Sequence, residues 1–190
     1  MPDIHTGDGE YDHSVSAFIF SKTSDGQLKL LLQYHKKLGG LMQPGGHVEL
    51  KETPWAALKH EVEEETGYDV AQLLLLQPKD GAIQFGDIAN SIIHPIPVII
   101  SSHSFRGNET HYHTDWSYAF ITSEEPNNKP HEGESEELLW FTEQELATLS
   151  DTEIPPSIRT IGLAIFQQVI NKWEIVPFNS FSTDNPNHYF

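Results

Sequence analysis

Residues 53–68 read Thr-Pro-Trp-Ala-Ala-Leu-Lys-His-Glu-Val-Glu-Glu-Glu-Thr-Gly-Tyr, and their order predicts a helix over 54–66. Thr53 suits the N-cap, Pro54 the first helical position and Gly67 the left-handed residue just past the end. The charges oppose this helix. Carboxylates near a C-terminus face the negative end of the macrodipole, which is unfavourable by about 0.3–1 kcal/mol each. Yet Glu61, Glu63, Glu64 and Glu65 crowd the last two turns. Glu61, Glu64 and Glu65 also stand at i, i+3 and i+4, so they share one face with Cβ atoms about 5–6 Å apart. Such a cluster is either a solvated acidic face or a site for a hard divalent cation, and the helix alone leaves the two even.

The preceding residues 43–52, Gln-Pro-Gly-Gly-His-Val-Glu-Leu-Lys-Glu, tip the balance toward the cation. Paired glycines after a proline make a sharp turn where backbone can approach a ligand or metal closely. Clustered carboxylate oxygens suit Mg²⁺ or Mn²⁺, and a chain without cysteine offers no thiolate to a softer ion.

The combined stretch resembles the Nudix box of the Nudix hydrolases, a loop-helix-loop signature. It runs Gly, five residues, Glu, seven residues, then Arg-Glu-apolar-any-Glu-Glu-any-Gly-apolar. The matching positions are Gly46, Glu52, His60, Glu61, Val62, Glu64, Glu65, Gly67 and Tyr68, with the family's spacing throughout. Two positions depart: His60 replaces the usual Arg, and Tyr68 is a less usual apolar choice.

The resemblance implies an α/β fold, a Nudix-like α/β/α sandwich with a mixed β-sheet, as a single domain over 1–190. It implies divalent-metal-dependent hydrolysis of a phosphoanhydride bond in a nucleoside diphosphate derivative, with water attacking phosphorus. Glu64 and Glu65 would be the principal ligands of Mg²⁺ (or Mn²⁺), Glu61 a further ligand or the group orienting the water, and the Gly45 carbonyl another ligand. In the family the Arg pairs with the Glu at the Glu52 position and braces the loop against the helix. His60 is shorter and is not fully charged near pH 7, so this brace is expected to be weaker or pH-dependent.

That substitution motivates a second reading, a nucleotide-binding or regulatory module of the same fold with weak or lost catalysis. An isoprenyl diphosphate isomerase is a third; the absence of cysteine counts against it, because the best-known enzymes of that kind use one catalytically.

The apolar, charged and aromatic fractions are ordinary for a globular protein. Lack of cysteine excludes a disulfide scaffold and a thiol nucleophile and fits a reducing compartment, so a cytoplasmic enzyme is expected. The first residues have neither a basic region nor an apolar core, as a signal peptide would, and no apolar run is long enough to span a bilayer. A net charge of -17 argues against nucleic acid or anionic lipid as partner. A small nucleotide carried as a metal complex is compatible with that charge. The family's frequent dimerisation makes a homodimer a candidate assembly.

Residues 14–21 and 27–35 flank Ser24-Asp25-Gly26 and read as a hairpin. Residues 41–48 lead through the glycine loop, and 70–76, 96–102, 117–122 and 137–141 are further strand candidates. A helix opens at Thr142, and 157–172 place Ile158, Ile161, Ile165 and Val169 at helical spacing. A polar segment of about 1–12 precedes this order. A tail of about 173–190, mixing aromatics with Pro177 and Pro186, either covers a second subunit or wraps its own domain.

Outside the box, residues 111–115 read His-Tyr-His-Thr-Asp, so on a strand His111, His113 and Asp115 face one side. Substrate contact by the two histidines is one reading, polar alternation at a strand edge the commoner one, and a second metal site the least favoured. Arg106 and Lys36 or Lys37 are among the few cations available to phosphates, although a surface position is the ordinary explanation. Trp116, Tyr118, Phe18 and Phe85 are candidates for stacking on a base, against the commoner role of strand aromatics as core. Glu132, Glu134, Glu136 and Glu137 form a second acidic cluster in and after the polar loop 123–135. Several Nudix enzymes take a further ligand or base from such a loop; Glu134 or Glu136 is best placed and Glu136 is assigned as ligand, with a solvated loop as the competing reading.

Overall fold

The computed structural model describes residues 6–23, 25–36, 38–79, 91–105, 108–135 and 137–184. Its centre is the pairing of β1 (Tyr11–Lys22) with β7 (Asn108–Thr122), which run parallel from Tyr11 opposite Tyr112 to Ser21 opposite Thr122. The other strand pairs are antiparallel: β2 (Leu28–His35), β5 (Leu74–Gln77) and β9 (Glu174–Pro177) extend the sheet, and β3 (Gly40–Met42), β4 (Gly45–His47), β6 (Ile99–Phe105) and β8 (Leu138–Thr142) pair with β2, β1, β7 and β2 respectively. One parallel pair among antiparallel ones makes the sheet mixed, as expected.

Both faces of the central strands are covered, and residue parity shows how. Val15, Ala17 and Ile19 of β1 pack with Tyr118 and Phe120 of β7 against Trp55, Leu58 and Val62 of α1 (Pro54–Thr66). Phe18 and Phe20 point the other way with Ala119. They meet Leu146 of α2 (Glu143–Thr148), Ile158 of α3 (Pro156–Ala164), and Ile165, Phe166 and Val169. Because successive strand residues alternate faces, a strand buried on both sides reads as an unbroken apolar run. This is the three-layer α/β/α sandwich.

Helix α1 has the predicted bounds: Thr53 Oγ1 accepts from the Ala56 N–H, and Gly67 closes the helix at φ 72°. Its end is completed by the polar loop, since the N–H of His131 donates to Glu64 O and that of Asn128 to Gly67 O. These bonds satisfy carbonyls that a helix end leaves unpaired.

Three predicted elements change form. Val70–Gln72 is a 3₁₀ turn rather than the start of a strand, because Asp69 Oδ1 accepts from the Ala71 N–H and the Gln72 side chain accepts from the Asp69 N–H. Local side-chain bonds of this kind compete with the sheet. The stretch 41–48, read as leading through the glycine loop, forms two short strands either side of Pro44, β3 on β2 and β4 on β1. The C-terminal helix begins at Pro156 and widens into a π-helical stretch at Ile165–Val169, where the adjacent Ile165 and Phe166 both face the core.

The tail's described residues, 173–184, pack on their own domain. β9 pairs with β5, and Phe178 stacks on Trp55 with ring centroids 4.1 Å apart. The Trp55 indole N–H donates to Phe181 O at 3.3 Å. Trp55 is fully buried. Trp55→Ala is therefore expected to cost about 3–5 kcal/mol of unfolding free energy, measured by urea titration monitored by circular dichroism.

Candidate active site

The glycine turn and helix α1 meet without room for a side chain between them. Gly45 has φ 146°, and a Cβ there would lie 2.1 Å from Val15 O; a Cβ on Gly46 would lie 2.3 Å from Glu61 Oε1. The Gly45 N–H donates to Glu65 Oε2 at 2.8 Å, so the turn holds one carboxylate of the helix and presses on another.

Burial gives these two acids unusual proton affinities. Glu65 is pushed up to about 8, first by burial; the Gly45 N–H opposes this and the charges of Glu61 and Glu134 add to it. Glu61 is pushed up to about 7, again first by burial, with His60 opposing and Glu64, Glu134 and Glu52 adding. Carboxylates crowded in low dielectric hold protons that a cation would displace.

Glu64 faces outward and lies between two histidines: His60 Nε2 at 3.0 Å and His131 Nδ1 at 3.2 Å from its Oε1. Burial lowers the His60 pKa, but the hydrogen bond and charge of Glu64, followed by the charges of Glu61 and Glu52, outweigh it, and the net direction is upward. The Nδ1 of His60 is 4.0 Å from Glu52 Oε2, so the expected brace to Glu52 is a long contact. Glu52 also accepts from the Glu49 N–H at 3.0 Å.

The polar loop brings Glu134 toward the helix, close enough for its charge to act on both Glu61 and Glu65. Gly133, Glu134 and Ser135 line a small cleft with Glu65, Gln33 and Lys36. Lys36 Nζ donates to Glu134 O at 3.2 Å. Glu136, Arg106, Lys37 and Phe85 lie outside the described residues. Tyr118 and Phe18 are core, and Trp116 packs against the core from a half-buried position.

His111, His113 and Asp115 share one face of β7, as the alternation predicted. All three are buried, and the histidines turn to each other and to His47 rather than to an open surface. Asp115 accepts from Ser14 and Ser16 through one oxygen and from Ser117 through the other. The His113 pKa is pushed down to about 4, first by burial and then by His47, His111 and His103. Among the described residues, His47, His111 and His113 are the group whose ligand atoms all lie within 4.8 Å of one another; the α1 carboxylates are more spread.

Sequence reasoning missed His131, Gln33, His47 and Asp12. His131 had a signal, a histidine within an acidic loop, but the partnership with Glu64 depends on how that loop docks.

The family model for the NUDIX domain matches residues 11–161. The chain belongs to the NUDIX family. Among solved structures, a NUDIX-family hydrolase from Clostridium perfringens is 26% identical, with a TM-score of 0.64 over 83% of this chain and 97% of that one. The Ap4A hydrolase of C. elegans is 14% identical, with a TM-score of 0.57 over 83% and 99% of the two chains. The NUDIX domain of Shewanella oneidensis NrtR, solved with ADP ribose, is 15% identical, with a TM-score of 0.57 over 83% and 88%. No curated protein sequence matches significantly. The enzyme class is that of a Nudix pyrophosphohydrolase. Among the described residues of this Nudix chain, no helix is long and apolar enough to cross a membrane.

Proposed function

We propose that this chain hydrolyses a phosphoanhydride bond in a nucleoside diphosphate derivative, with Mg²⁺ or Mn²⁺ as cofactor. The carrying observation is the contact of the glycine turn with α1, where the Gly45 N–H fixes Glu65 and Gly46 leaves space that Glu61 fills. The donor set fits a hard cation, being carboxylate and carbonyl oxygen without sulfur. Glu61, Glu64, Glu65 and the Gly45 carbonyl would hold it, with Glu134 the described loop carboxylate nearest in electrostatic effect and Glu136 the alternative. Such an ion supplies neutralisation of phosphate charge and a lowered pKa for water.

The chain's own groups then divide the work. Glu61, seated against the Gly46 turn, would take a proton from attacking water through a carboxylate oxygen. Glu65 is oriented by the Gly45 N–H. Glu64 is positioned by His60 and His131, and His60 links it loosely to Glu52. The named ligands of the structural relatives, Ap4A and ADP ribose, make nucleotides with internal diphosphates the first compounds to try.

The test is release of phosphate or pyrophosphate from a panel of oxidised and ordinary nucleoside triphosphates, ADP-ribose, dinucleoside polyphosphates and nucleotide sugars, with added Mg²⁺ or Mn²⁺. Glu64→Gln is expected to lower turnover by about 100-fold or more, corresponding to about 3 kcal/mol of barrier. Near wild-type turnover in that variant would reject the ligand assignment. Turnover by the unaltered protein also removes the binding-module reading.

A further inference from the structure

The described α1 chemistry does not use the buried histidines of the sheet. The Nε2 of His113 lies 3.2 Å from that of His47 and 3.0 Å from that of His111. An imidazole nitrogen offers one in-plane site, a proton or a lone pair, so His113 Nε2 cannot form a full hydrogen bond with both neighbours at once. The separations instead approach the roughly 3.3 Å expected between nitrogens bound about 2.0–2.1 Å from one tetrahedral ion.

A carboxylate adjoins the same point. Asp12 Oδ2 is 3.5 Å from His111 Nε2 and 3.9 Å from His47 Nε2, and Asp12 is 2% exposed. The four residues come from three strands held in register, with Asp12 of β1 opposite His113 of β7, and Ser14 of β1 opposite His47 of β4. Val15 packs with α1, so strand alternation directs Asp12, Ser14 and His47 to the opposite face of the sheet.

We propose that His47, His111 and His113, with Asp12 beside them as acceptor for His111, form a binding site for a borderline-soft divalent cation of the Zn²⁺ class, separate from the carboxylate site of α1. Three imidazoles suit Zn²⁺, Co²⁺ or Ni²⁺, with the fourth position left to water or a further oxygen, whereas Mg²⁺ prefers oxygen ligands and retains water. The bound ion would cross-link β4 and β7, both of which pair with β1, and add to the Asp115 bonds from Ser14 and Ser16 that tie β1 to β7. The site holds whether or not the chain proves hydrolytic.

Calorimetric titration of the full chain with Zn²⁺ in excess Mg²⁺ tests this. One equivalent is expected to bind, with affinity falling on the order of 100-fold in His111→Ala and His113→Ala and unchanged in Glu64→Gln. Co²⁺ should give the visible absorption of a four-coordinate nitrogen and oxygen site, lost in the same histidine variants. If the buried variants fail to fold, His47→Gln, at the half-buried rim, gives the same readouts. Zn²⁺ affinity unaffected by His47→Gln, or abolished by Glu64→Gln, would overturn the proposal.

Discussion

Glu65→Gln is expected to lower hydrolysis by about three powers of ten and to make the metal-free protein more stable in alkali. The activity loss follows from removing a ligand charge, since such an ion supplies several kcal/mol of transition-state stabilisation. The stability gain follows from linkage. Glu65 has a folded pKa of about 8 against an ordinary 4.5. Between those values the folded state binds more protons than the unfolded one, so stability is lost as pH rises. The contribution is fully present below about pH 4.5 and gone above about pH 8, on the order of 5 kcal/mol at most.

Glutamine keeps an oxygen for the Gly45 N–H and carries no charge at any pH. In EDTA, wild-type Tm should therefore fall from pH 5.5 to pH 9, and the gap to Glu65→Gln should widen over that range. Saturating Mg²⁺ should raise wild-type Tm and close the gap, with stabilisation of about 2.7 kcal/mol at 100 times Kd. Equal Tm for both proteins at pH 9 without metal would show that burial does not raise the pKa of Glu65.

The same physics explains what the sequence made legible. Helix α1 announced itself through local chemistry, a Thr cap, a first-turn proline and a terminal glycine, whereas its carboxylates alone left a solvated face and a cation site even until the glycine turn was read with them. The β1–β2 hairpin was equally local. By contrast, the turn at Val70–Gln72 was hidden because its apolar residues look like strand while Asp69 and Gln72 cap the backbone from outside the pattern. The histidine cluster was half visible. Alternation placed His111 and His113 together, but His47 is 66 residues from His113 in sequence. Only the joint pairing of β1 with β4 and with β7 brings it there. Contacts made by register across separate strands leave no local trace.

Ala substitutions at Gly45 and Gly46 should fail in different ways although the residues are adjacent. At Gly46 the new Cβ would meet the carboxylate of Glu61, with Oε1 at 2.3 Å and Oε2 at 2.8 Å. A side chain can rotate away, and no positive φ makes alanine strained at that position. Gly46→Ala is thus expected to fold with near wild-type stability, displace Glu61, and reduce kcat on the order of 100-fold or more, as losing a general base does. At Gly45 the obstacle is backbone: Val15 O at 2.1 Å and Ser16 Cα at 2.9 Å, with φ 146° adding strain for an L side chain. Val15 and Ser16 belong to the central strand and cannot retreat without opening the β1–β4 pairing. Gly45→Ala should therefore lose about 2–4 kcal/mol of stability together with activity. Urea denaturation and turnover measured on both variants separate the cases. Equal destabilisation by the two alanines would mean that Glu61 is as immobile as the strand behind Gly45, and its part in taking a proton from water would need reassignment.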